Sequence, residues 1–221
     1  GDELAAPPTA LHAKDSKAGY NVTTPQQAWV YWNTLQHQRT AGEVFEIAME
    51  HARRAVERAK ARTGQDIDVI SFAELKSKQA YSLPKQDASL NFPEQSRLAT
   101  RALIESLGIT RPTVVMGFGS IPYSAVSLRD ESLRATVSEA VQPFGLGSVN
   151  YFAGISDMSF FGEASGDLSV VASNTPIWGT SFTLAEPAGY PCINIGPWGR
   201  DYHHWLERLH APYAFETLPK V

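Results

Sequence analysis

The chain has 221 residues, with 19 basic and 23 acidic side chains and a formal net charge of -4, a length that suits one or two domains. Its composition, 43% hydrophobic, 10% aromatic and 19% charged, is that of a packed globular protein and excludes a disordered or fibrous one. A pI near 5.9 without a basic stripe excludes nucleic acid as a partner, because nothing displaces counterions from a phosphate backbone. No apolar run approaches the roughly 20 residues that cross a bilayer, so no membrane-spanning segment is expected.

The opening Gly1-Asp2-Glu3-Leu4 carries neither the basic nor the apolar region of a signal peptide. A single Cys192 forbids an internal disulfide, which fits a reducing, cytoplasmic setting. The absence of an initiator Met, with the Pro-rich turn Ala6-Pro7-Pro8-Thr9 following at once, reads as a start within a longer polypeptide. Residues 20–24 and 28–32 are β-branched and aromatic, so two strands, or a strand and a turn, are expected there. Thr40 with Glu43 forms a capping-box pair. Val44, Phe45, Ala48, Met49, Ala52, Ala55, Val56 and Ala59 then recur on one helical face until Gly64, which predicts a helix with a buried stripe. The alternating Ile67-Asp68-Val69-Ile70-Ser71-Phe72 predicts a half-buried strand.

From Ala73 to Asn91 the chain is polar and reads as a connecting segment with a domain boundary. Beyond it, the pattern predicts a helix over 94–107, a buried strand over 113–118, a helix over 130–141 and a strand over 148–152. Further strands are expected at 168–171, 192–195 and 214–218. Alternating helices and strands indicate an α/β layer with parallel strands. The chain is thus divided into an α+β domain over 1–80 and an α/β domain over 81–221.

Chemistry is expected where predicted strands end in loops, since ligands of open α/β sheets bind beyond the carboxyl ends of strands. In the segment 194–208, a Gly/Pro loop leads to histidines at a predicted helix start. His203 and Glu207 would share a helix face, so the imidazole could bind a divalent metal with the carboxylate backing it. One histidine is not a zinc site, which needs three or four ligands; the alternative is a solvated surface. Asp157, in Gly154-Ile155-Ser156-Asp157-Met158-Ser159, either lines a pocket or caps the next turn. A Ser156 nucleophile elbow fails at Asp157-Met158, where the motif requires a glycine. Gly117-Phe118-Gly119-Ser120 lacks the lysine and spacing of a phosphate loop and reads as a turn. Trp178 and Trp198 suit a pocket wall or ordinary core equally.

The ordered series Gly-Ile-Ser-Asp-Met-Ser (154–159), Thr-Pro-Ile-Trp-Gly (175–179), Pro-Cys-Ile-Asn-Ile-Gly-Pro-Trp-Gly-Arg-Asp-Tyr-His (191–203) and Glu207-Arg208-Leu209 resembles the C-terminal half of the RocB-type arginine-utilisation proteins. These are relatives of co-catalytic zinc exopeptidases such as aminoacylase, carboxypeptidase G and succinyl-diaminopimelate desuccinylase. The segments Ala-Pro-Pro-Thr-Ala-Leu (6–11) and Gly-Tyr-Asn-Val-Thr-Thr-Pro (19–25) resemble the middle of that family.

The resemblance implies the second half of a zinc-exopeptidase α/β catalytic domain, preceded by the remainder of an α+β lid that often dimerises. It implies His203 as a zinc ligand, Glu207 as the acidic residue behind it and Asp157 near the substrate. Shorter members carry a basic residue where Met158 stands. The family's other ligands and its general-base glutamate lie upstream of the lid and are not in this chain. The chain alone should therefore be inactive, and two zinc ions would belong to the intact site. A small amino-acid-derived or peptide substrate, a homodimer through the lid and the N-terminal half of the same protein are the implied partners. The competing reading is a non-catalytic binding or assembly module that has kept the fold without a complete metal site.

Overall fold

The computed structural model describes residues 8–36, 39–80, 85, 87–124, 126, 128–149, 157–162, 168–184, 188–201 and 204–221, and of Asp157 only the backbone. The architecture is mixed α/β, with small sheets and helices. Two compact units make up the chain, one from residues 1–125 and 165–186, the other from 126–164 and 187–221.

The first unit opens with an antiparallel pair, β1 (Thr9–Asp15) and β2 (Ala28–Asn33). Strand β2 falls where the aromatic run predicts it. Its partner, however, is Thr9–Asp15 and not residues 20–24, which lie in the connecting loop with Tyr20 and Val22 fully in solvent. The loop satisfies its own polar groups. Asn21 Oδ1 accepts from the Thr23 N–H (3.0 Å), and Lys17 Nζ donates to the carbonyls of Asn21 and Thr23. Such local bonds compete with a strand ladder. The register shifts between Ala10 and His12, leaving Leu11 as a bulge. On the inner face, the Arg97 guanidinium sits 4.2 Å over the Trp29 ring. Glu94 orients it through a two-pronged ion pair, and the hydrogen bonds from Arg97 hold the Glu94 carboxyl below the usual carboxylate range.

Helix α1 (Ala41–Thr63) begins at the predicted capping box: Thr40 Oγ1 accepts from the Glu43 N–H (3.2 Å), and Glu43 Oε2 accepts from the Thr40 N–H (2.7 Å). It ends on Gly64, whose φ of 70° is the left-handed conformation that suits glycine. Phe45, Met49 and Val56 of the predicted stripe are buried.

Strand β3 (Asp68–Ser71) pairs in parallel with β4 (Thr113–Met116), Asp68 opposite Thr113 and Ser71 opposite Met116. Both strands were expected. Ser71 then caps a helix, α2 (Phe72–Ser77), by a second capping box with Glu74, where the sequence reads as a strand continuing through Phe72 and then a polar connector. Helix α3 (Phe92–Ser106) starts at an Asn91 cap with Pro93 in its first turn. Phe72, Leu75 and Leu103 are completely buried together, with Ile70, Ile104, Leu107, Ile109 and Val115 packed around them. Each such side chain contributes roughly 1.5–3 kcal/mol of burial.

In the second unit, α4 (Glu131–Val141) is capped by Asp130, as expected. Three expected strands are corrected. Residues 168–171 enter a helix of the first unit, α5 (Ser169–Asn174), whose Val171 is completely buried. Residues 192–195 have no regular structure, and 214–218 form helical turns. Short Val/Leu and Phe/Thr runs do not separate a strand from a buried helical turn by periodicity, so tertiary packing decides. Of the strand expected over 148–152, Ser148 and Val149 lie outside any strand, and the rest falls outside the described residues. The pair β5 (Gly199–Arg200) and β6 (Arg208–Leu209) is antiparallel. The parallel sheet predicted for an α/β layer is, among the described residues, the single pair β3–β4.

Asn174 joins three segments. Its Oδ1 accepts the Ala73 N–H in the first turn of α2 (3.0 Å), its Nδ2 donates to the Val170 carbonyl (3.0 Å), and its backbone oxygen accepts the Phe118 N–H (2.9 Å). Only glycine fits opposite it, since a Cβ on Gly117 would lie 2.8 Å from the Asn174 oxygen and 3.3 Å from Phe72 Cβ.

Replacing Asn174→Ala strands the Ala73 N–H without its acceptor and is expected to destabilise the protein by about 1–3 kcal/mol, read as a lowered urea midpoint at unchanged slope. The hydrogen bonds from Ser71 hold the Glu74 carboxyl below its ordinary range. That contribution is complete above the ordinary carboxylate range and is lost as pH falls through the lowered folded value. Glu74→Gln should accordingly lose less stability than the native chain between about pH 6 and about pH 3, measured by denaturant titration across that window.

Candidate functional site

Beyond the carboxyl ends of β3 and β4, the usual ligand position of a parallel sheet, the protein has filled the space with itself. Phe118 of the Gly117–Ser120 turn gives its N–H to Asn174 and has none to offer an anion. Thr175, buried, donates to the Val171 carbonyl (2.7 Å) and closes α5, and Ile177 is fully buried beside it. Trp178 meets Phe182 edge-on at 5.5 Å, and Phe182 meets Phe92 at 5.2 Å. Trp178 is half-buried against Phe182.

In the second unit, Asp157 opens a single helical turn, Asp157–Phe160, closed by N–H groups of Phe161 and Gly162 donating to the Met158 carbonyl. Ser156 and His203 lie outside the described residues. Glu207 does not lie on a helix. Residues 204–206 form a turn, and Glu207 leads directly into β6, its N–H donating to the His204 carbonyl (2.9 Å). Glu207 thus stands outside any helix, while His203, its expected partner on a helix face, lies outside the described residues.

The β5–β6 hairpin has features that spacing did not single out. Asp201 adopts φ 59°, a left-handed conformation that aspartate tolerates better than most residues. Its Oδ2 accepts from Arg208 Nη2 at 2.6 Å. Both groups are open to water, so the pair fixes geometry more than it stabilises. Gly199 faces the Arg208 carbonyl with no room for a side chain. Trp198 stacks on His210, ring centroids 4.3 Å apart and planes within 11°. The only prior signal for these contacts was the Gly/Pro loop with aromatics and histidines at both ends.

Two imidazoles have a defined hydrogen-bonding role. Nδ1 of His204 accepts the Leu206 N–H (3.3 Å), and Nδ1 of His210 accepts the Tyr213 N–H (3.2 Å). An accepting Nδ1 puts the ring proton on Nε2, which then has no lone pair for a metal; a ligating histidine has the opposite arrangement. Neither residue is thus set to ligate through Nε2. Among the described residues, no group of three or more His, Cys, Asp or Glu side chains converges on a point. No described helix is long and apolar enough to cross a membrane.

The chain is 28% identical to YqjN of Bacillus subtilis (strain 168), an uncharacterized protein, over 260 residues that take in 99% of this chain and 47% of YqjN. It is 27% identical to the protein RocB of the same organism over 262 residues, covering 98% of this chain and 46% of RocB. No family model matches, and no solved structure matches. This chain is a distant relative of RocB and YqjN over nearly its whole length, and it spans about half the length of each.

Given the tautomers, His204→Gln and His210→Gln are each expected to leave the metal content of the purified protein unchanged. Elemental analysis of both variants checks this, and loss of bound metal in either contradicts the assignment.

Proposed function

We propose that this chain is the carboxyl-terminal portion of a zinc-dependent amidohydrolase or peptidase of RocB type, which cleaves an amide or peptide bond of a small amino-acid-derived substrate in arginine utilisation. The observation that carries the reading is the relation to RocB across 98% of the chain, together with the order of motifs at 154–159, 175–179 and 191–203. In this reading His203 is a metal ligand, Glu207 stands behind it and Asp157 lies near the substrate. A homodimer through the β1–β2 segment belongs to the same proposal.

The described residues do not by themselves make up a zinc site, since no group of three or more donors converges among them. A closed or catalytic zinc site takes at least three protein ligands. The remaining donors therefore have to come from outside these residues, and the catalytic steps are not assigned to this chain. The second reading is a binding or assembly module that retains the fold without metal chemistry.

Hydrolysis separates the two. The complete protein, assayed on N-acyl amino acids and dipeptides, is expected to lose activity at least tenfold on chelation and regain it with zinc, and His203→Ala should lower both activity and bound zinc. Activity that survives chelation would sink the metallohydrolase reading. A protein with neither metal nor hydrolysis would establish the binding module in its place.

A further inference from the structure

The start of the terminal helical turns depends on one imidazole. Residues 211–220 form these turns, and His210 stands just before them. Its carbonyl accepts the Ala214 N–H at 3.0 Å, and its Nδ1 accepts the Tyr213 N–H at 3.2 Å. That is the arrangement of an N-cap, a side-chain acceptor closing an N–H that the helix itself leaves open. The usual caps are serine, threonine, aspartate and asparagine, whose oxygens still accept in mildly acidic solution. An imidazole accepts at Nδ1 only while it is neutral, and histidine is the side chain that changes charge within the physiological range.

The same residue ties the turns to the β5–β6 hairpin. Its N–H donates to the Trp198 carbonyl at 3.0 Å, one step beyond the Gly199–Leu209 pair, and its ring lies on the Trp198 indole. Tyr213 is the next ring, 6.4 Å from Trp198. All of these residues belong to the second unit. We propose that His210 is a pH-operated latch between the hairpin and the terminal turns, closed while its ring is neutral and released when Nδ1 takes a proton. Protonation removes the acceptor of the Tyr213 N–H and sets a positive charge at the positive end of the helix dipole. The Trp198 indole acts the other way, since an aromatic face attracts a cation, but that one contact is set against two losses. The charged and titratable groups on the elements packed against the ring are Arg200 and Arg208 of the hairpin, Glu207 directly before β6, and Tyr213, Glu216 and Lys220 of the terminal turns. Of these, Arg208 is engaged by Asp201. The inference is independent of the hydrolase reading.

The test is hydrogen exchange of the complete protein, read on the peptide 211–220 and corrected for the intrinsic pH dependence of exchange. Between about pH 7.5 and about pH 5.5, protection of that peptide is expected to fall at least about fivefold while α1 keeps its own. His210→Asn, a cap that takes up no proton, should hold equal protection at both pH values. His210→Phe, which keeps a ring to stack but offers no acceptor, should be deprotected at both. Unchanged protection in the native protein, an equal loss in His210→Asn, full protection in His210→Phe, or a loss shared by α1 would each overturn the inference.

Discussion

One buried amide organises the first unit. Asn174 accepts the Ala73 N–H, donates to the Val170 carbonyl and receives the Phe118 N–H on its own carbonyl. It thereby ties the start of α2, the body of α5 and the loop after β4 in one place. A buried polar group of this kind stabilises only if every partner is present, and the requirement extends to Gly117, where no side chain fits against the Asn174 carbonyl. The same junction lies just beyond the carboxyl end of β4, where the Phe118 N–H is already engaged by the Asn174 carbonyl.

The elements that were legible in the sequence carry their instructions locally. Thr40 and Glu43 begin α1 and Gly64 ends it, Asn91 and Asp130 begin α3 and α4, and the alternating runs around Val69 and Val114 become β3 and β4. Ser71 and Glu74 give the same signal as Thr40 and Glu43, but it is masked by Val69-Ile70-Ser71-Phe72, which reads as an unbroken strand. Elements whose form depends on distant partners were not legible. Val170 and Val171 prefer strands by type, yet they lie in a helix because that geometry buries Val171 and aims Asn174 at a residue 101 positions away. The strand Thr9–Asp15 has no apolar alternation because its residues stay open to water up to Asp15.

For the site, sequence order carried more than spacing. The succession of motifs from 154 to 209 pointed to the RocB relation, which the comparison with RocB supports across nearly the whole chain. Spacing of four between His203 and Glu207 assumed a helix, and Glu207 lies outside one, directly before β6. The Asp201–Arg208 pair and the Trp198–His210 stack set the β5–β6 hairpin, and both arise from residues brought together across it. A hydrolase built on two metals needs more donors than converge here.

The most direct measurement is the intact mass of the protein purified from its source, taken together with its zinc content. The account predicts a mass well above the 24.2 kDa of this chain, or a tightly held second polypeptide, with about one to two zinc ions per assembly. A stable, metal-free species of 24.2 kDa with no second polypeptide would contradict it.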